Sequence, residues 1–106
     1  MALVLTVETA RWRTAIERWV DLLGPRLVPV IKGNGYGFGR PALADLVAGL
    51  GLDTVAVGTI DEVDPRCRLH QHVLTPCLDE HLDALGTGVT VTLARADGAR
   101  QAAEHD

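Results

Sequence analysis

The chain has 106 residues, enough for one small domain that buries about 60 to 65% of the surface an extended chain would expose. It is 47% hydrophobic and 23% charged with a mean hydropathy of +0.15, a balance that fits a globular fold and argues against disorder. A formal net charge of −4, a pI near 5.4 and scattered arginines exclude the concentrated basic surface that a nucleic-acid partner requires.

From the amino terminus, "MALVLTV" is apolar but too short to span a bilayer, and it lacks the basic start and long apolar run of a signal peptide. These features predict a soluble, cytoplasmic chain with no membrane partner. In "ETARWRTAIERWVDLLG", Trp12, Ile16, Trp19, Val20 and Leu23 recur at helical spacing, with Arg11, Arg13, Glu17, Arg18 and Asp21 on the other face. Gly24-Pro25 ends that helix, and both tryptophans read as packing against a sheet rather than as a ligand platform.

The run "RLVPVI" predicts a short strand whose internal proline places it at a strand start or a sheet edge. The loop "KGNGYGFGR" follows. Pro41 then sits where the first turn of a helix tolerates it, Leu43, Leu46, Val47 and Leu50 form one apolar stripe, and Gly51 marks the stop. "TVAVG", "HVLTP" and "GVTVTLA" predict three more strands, with a helix over "DEHLDALG" between the last two. The alternation of strands and helices implies parallel βα units, about four of them. In "TIDEVDPRCRLHQ" only a stub of helical pattern survives before Asp64-Pro65, so this unit is shortened. Asp61-Glu62 are a carboxylate pair whose place after a strand reads as the acidic start of a helix.

Cys67 and Cys77 stand ten apart with no CxxC, which predicts buried free thiols rather than a disulfide framework or a zinc knuckle. His70 and His72 share one face of an extended segment, but no third ligand is near, and no metal site is expected.

The loop after "LVPVI" carries the chemistry. Lys32 is the only lysine in the sequence, and in a parallel α/β fold it would stand at the carboxyl end of a strand, where such folds bind ligands. Glycines 33, 35, 37 and 39 let the backbone turn sharply and approach a bound group, and the helix start near Arg40 or Pro41 adds a positive end. A dinucleotide fingerprint fails here, because GxGxxG begun at Gly33 meets Phe38 and begun at Gly35 meets Arg40. A Walker-type loop fails because the lysine precedes the glycines. Two readings remain: a solvated lysine on a glycine turn, and an amine nucleophile that forms an imine with an aldehyde cofactor. Pyridoxal 5′-phosphate would need a phosphate donor as well, and the Tyr36 hydroxyl is suitable. Arg40 is placed equally well to meet a phosphate or to stand in solvent.

The string "VIKGNGYGFG", followed some twenty residues on by "DTVAVGTIDE", resembles the amino-terminal barrel domain of alanine racemases, whose motif reads V-V-K-A-N-A-Y-G-H-G and continues to A-V-A-T-L-E-E. The likeness runs from about Arg26 to Glu62, and the strand pattern carries it more loosely to residue 106. It implies a fold-type III arrangement, here part of a (β/α)8 TIM-type barrel. It implies pyridoxal phosphate as cofactor, Lys32 as the cofactor-binding lysine and one of two proton-transfer bases, and Tyr36 as a contact of the cofactor phosphate. It implies interconversion of L- and D-alanine for peptidoglycan synthesis, in a homodimer. Gly33, Gly35 and Phe38 depart from the motif, which has two alanines and a histidine there. Decarboxylases and pyridoxal-phosphate homeostasis proteins of the same barrel class share the lysine but lack the N-x-Y-G-x-G run in this form.

A whole barrel takes about 250 residues. The chain therefore reads as the first part of such a domain, without its second half-barrel and β-domain. The family's second base is a tyrosine of the partner subunit, and Tyr36 is the only tyrosine here. The chain alone is expected to be inactive and prone to self-association. The alternative within the same barrel class is a non-catalytic remnant or interaction module that binds pyridoxal phosphate.

Overall fold

A computed structural model describes residues 3, 4, 6–76 and 86–93. They form a mixed α/β unit. Helix α1 (Thr9–Leu23) is followed by a 3-10 turn (Gly24–Arg26), a kinked turn α2 (Lys32–Gly35) in which Gly33 and Asn34 are not helical, and helix α3 (Arg40–Gly49). Strand β1 (Thr54–Val57), a 3-10 turn (Ile60–Glu62), strand β2 (His70–Val73) and strand β3 (Val89–Thr90) complete it.

The three strands make one parallel sheet in the order β1-β2-β3, with Thr54 opposite His70, Val57 opposite Val73, and His72 opposite Thr90. The predicted strand over "RLVPVI" is reduced to a single parallel bridge, Val30 to Ala56. Pro29 explains this: its nitrogen has no hydrogen to donate, so the segment pairs only through the Pro29 carbonyl, which accepts from Ala56, and the Ile31 N–H, which donates to Ala56 oxygen, both at 2.8 Å. The segment lies beside β1 on the side away from β2, the edge position that its proline predicts. Each extended segment therefore lies next to its predecessor in sequence, with no reversal of strand order.

Alternation along the strands sorts their side chains onto two faces. Ile31, Val55, Val57 and Val73 join Leu43 and Val47 of α3, together with Leu52, in one buried cluster. Val55, Val57 and Val73 are the largest fully buried side chains, and Ala56 on the opposite face is buried too, the two-sided burial usual for a parallel sheet. α3 begins at Arg40-Pro41 and ends before Gly51, which stands at φ 81, as its terminal residues predict.

Two expected strands are displaced. "HVLTP" gives β2 only over its first two residues, because the ladder begins earlier, where the His70 N–H donates to Asp53 oxygen. "GVTVTLA" contributes two residues of ladder. The helix expected over "DEHLDALG" and the thiol of Cys77 lie outside the described residues, apart from Gly86. α1 is helical as its stripe predicts but contains no buried residue. Trp12 and Val20 pack against the core as half-buried side chains, whereas Trp19 stays 57% exposed.

Candidate functional site

The carboxyl ends of the parallel segments converge on one rim. Lys32 follows the Val30 bridge, Gly58 follows β1, and Leu74 and Thr75 follow β2; the N–H groups of Leu74 and Thr75 donate to Val57 oxygen (3.0 Å) and Gly58 oxygen (2.8 Å). Thr92, beyond β3, donates its hydroxyl to Val73 oxygen at 2.9 Å. Lys32 is exposed and enters no salt bridge among the described residues. Its stem lies against the bare backbone of Gly58, where an added Cβ would stand 3.2 Å from Lys32 Cβ.

The loop after Lys32 is held by its own polar groups. Gly33, Gly35, Tyr36, Gly37 and Gly39 all have positive φ, between 55° and 93°, a conformation that strongly favours glycine. Asn34 knits the run: its side-chain oxygen accepts from Gly37 N–H at 2.9 Å, and its carbonyl accepts from Gly39 N–H at 2.7 Å. Gly35 is buried under the start of α3, and a Cβ there would meet Arg40 nitrogen at 3.0 Å and Leu43 Cδ1 at 3.1 Å. Arg40 turns back onto the loop and donates to the Gly33 carbonyl.

Glu62 ties this loop to the sheet. One carboxylate oxygen accepts from Gly33 N–H at 2.9 Å and the other from Gly58 N–H at 2.7 Å, so one side chain joins the residue after Lys32 to the residue after β1. Burial pushes the Glu62 carboxyl up, but the N–H groups of Gly58 and Gly33 and the positive Arg40 outweigh it and hold the group below its ordinary value. The acidic pair at positions 61 and 62 thus divides. Asp61 is exposed at the 3-10 turn, and Glu62 is the half-buried link.

Tyr36 stands apart from Lys32. It is 59% exposed, in a left-handed backbone conformation, and lines a groove of about 410 Å³ with Trp12, Trp19, Phe38 and Leu46. Phe38, the departure from the racemase motif, stacks on Trp12 with ring centroids 5.4 Å apart and planes 12° from parallel. Lys32 is in the wall of neither this groove nor the cleft of about 360 Å³ on the other side of α3, between α3 and the short β1–β2 connection. That cleft lies beside the shortened unit, where a full crossover helix would pack.

In the same connection, Gln71 is 5% exposed and holds the Asp64 backbone in both directions, accepting from its N–H and donating to its carbonyl at 2.9 Å each. Asp64 in turn accepts from Arg66 N–H at 2.9 Å, which with the Arg66 side chain lowers its carboxyl below the ordinary value. Cys67 is a half-buried free thiol. His70 and His72 are half-buried on one face of β2, and His70 Nε2 lies 2.6 Å from the Thr90 hydroxyl. Among the described residues no three His, Cys, Asp or Glu side chains gather as a metal site, and no helix is long and apolar enough to cross a membrane.

Compared with known proteins, the chain matches no family model, no curated protein and no solved structure.

Proposed function

We propose that this chain is the cofactor-binding part of a pyridoxal-phosphate-dependent barrel enzyme of the alanine racemase type, with Lys32 as the amine that bonds the cofactor. The observation that carries the reading is the place of Lys32. The only lysine of the sequence stands exposed at the carboxyl rim of a parallel sheet whose segments follow one another in sequence order. Sequential parallel order is the arrangement of a barrel wall and equally of one half of a doubly wound sheet, and the motif around Lys32 favours the barrel.

The rim residues suit the aldehyde end of the group. Lys32 Nζ has no ionic partner among the described residues to compete for it, and the missing side chain at Gly58 is what lets the lysine stem and Glu62 pack against that backbone. Tyr36 is assigned the phosphate end by the motif alone, since its exposed ring lines the groove on the α1 side, whose wall does not include Lys32. When bound, the cofactor supplies an electron sink for the carbanion left by removal of an α-proton. Lys32 Nζ is the group that carries this proton on one face of an amino-acid substrate, alanine in the reading proposed. Tyr36 is the only tyrosine and is assigned here to the phosphate, so it does not serve as the proton carrier of the opposite face. The chain by itself therefore binds the cofactor without turning over alanine.

Titration with pyridoxal phosphate followed by amide NMR tests the reading. The expected shifts lie at Gly33, Gly58 and Thr75 and vanish in Lys32→Ala, while the amides of α1 stay still. Shifts that are absent, or that survive in Lys32→Ala, would overturn it.

A further inference from the structure

We infer that Glu62 is the positioning residue of Lys32: its carboxylate fixes the backbone on the carboxyl side of the lysine to the end of β1, and so holds the amine at the rim. The inference rests on the cofactor reading of Lys32 and goes beyond it by assigning the residue that presents the amine.

Glu62 Oε2 takes the N–H of Gly33 and Oε1 takes that of Gly58, at 2.9 and 2.7 Å. Both donors are glycine amides with no side chain to shield them, one 29 residues and the other four residues before Glu62 in the sequence. Lys32 immediately precedes the first of these anchor points, and its Cβ stands 3.2 Å from where a side chain on Gly58 would begin. Arg40 completes the hold from α3 by donating to the carbonyl of Gly33, so both backbone polar groups of that residue are occupied. The lysine stem is flexible, so what Glu62 fixes is the backbone from which the amine is presented, and a reacting amine misplaced by about 1 Å can lose about 10²-fold in rate.

The geometry suits a carboxylate. The two N–H donors each meet a separate oxygen of the side chain, and an ionised Glu offers an acceptor at both. A Gln at this position has one acceptor and one NH2, so one of the two amides would face another donor. The charged group facing Glu62 is Arg40 from α3, with Asp61 and Asp64 on its own connection. The sequence pattern that encodes this link is a glycine ending a strand and an acidic residue four positions later, in "GTIDE".

The test uses the full chain and two readouts, amide hydrogen exchange and borohydride trapping of Lys32 by pyridoxal phosphate, in wild type, Glu62→Ala, Glu62→Gln and Asp61→Asn. In Glu62→Ala both glycine amides are expected to exchange about tenfold faster, and in Glu62→Gln one of them, while Val55 and Val73 keep their protection. Trapping of Lys32 relative to the amino terminus should fall in both Glu62 variants and stay unchanged in Asp61→Asn. A merely structural role would instead expose Val55 and Val73 as well, and that result overturns the inference. So does unchanged exchange at Gly33 and Gly58, or trapping that stays at the wild-type level when exchange quickens. Failure of the cofactor reading shows differently: wild-type Lys32 would then be trapped no better than in urea-unfolded chain, whatever the exchange reports.

Discussion

The two sides of the glycine loop are held in different ways. On the sheet side, Arg40, Gly33, Glu62 and Gly58 are linked in a chain of hydrogen bonds, and Gly35 is pressed under α3 with no room for a methyl group. On the α1 side, the contact is a stacked Trp12–Phe38 pair and half-buried aliphatic groups, with Trp19 and Leu22 largely exposed. The ion pairs of α1, Glu8–Arg11 at 3.1 Å and Glu17–Arg13 at 3.0 Å, are in solvent and hold only the helix itself. Directional backbone bonds fix where Lys32 stands, and the helix beside it adds apolar cover without fixing a geometry. A site that must place one amine depends on the first kind of contact.

The largest way to break this contrast is Gly35→Ala. At φ 67, with Arg40 nitrogen 3.0 Å from the new Cβ, the variant should lose about 2 kcal/mol in urea unfolding, whereas Trp19→Ala on the α1 side should lose about 1 kcal/mol or less. Equal losses would erase the distinction.

Acid gives the next effect. The Glu62 carboxyl is held below its ordinary value of 4.5 in the folded chain, so its contribution is fully present above that pH and is lost as pH falls through the lower folded value. Wild type should therefore lose more stability than Glu62→Gln when urea midpoints at pH 7 are compared with those below pH 4.5. Parallel curves for the two proteins would contradict the link.

The smallest effect sharpens the other side. Arg13→Ala removes a half-exposed i,i+4 pair and should change stability by only about 0.3 to 0.5 kcal/mol, most of it gone in high salt.

Much of the fold was legible in periodicity. The stripe of Trp12, Ile16, Trp19, Val20 and Leu23 gave α1, Pro41 and Gly51 bracketed α3, and the apolar run at Thr54–Val57 gave β1. What periodicity cannot state is pairing. Whether "RLVPVI" makes a strand depends on the neighbour that accepts it, and with Pro29 in its middle Ala56 takes one bridge only. The placement of Lys32 at a strand end was readable from strand-loop-helix order. Glu62 was not, because its partners are backbone N–H groups 29 and four residues away, and an acidic residue after a strand reads equally well as a helix start. Phe38 looked like a departure from a motif, and its stacking on Trp12 came from a helix that precedes it in the chain.

The most direct test of the account is chemical. The full chain is mixed with pyridoxal phosphate, reduced with borohydride and mapped by mass spectrometry, native beside urea-unfolded. Preferential labelling of Lys32 over the amino terminus in the native chain, lost on unfolding, is the result the account predicts. Equal labelling in both states, or labelling at the amino terminus alone, would contradict it.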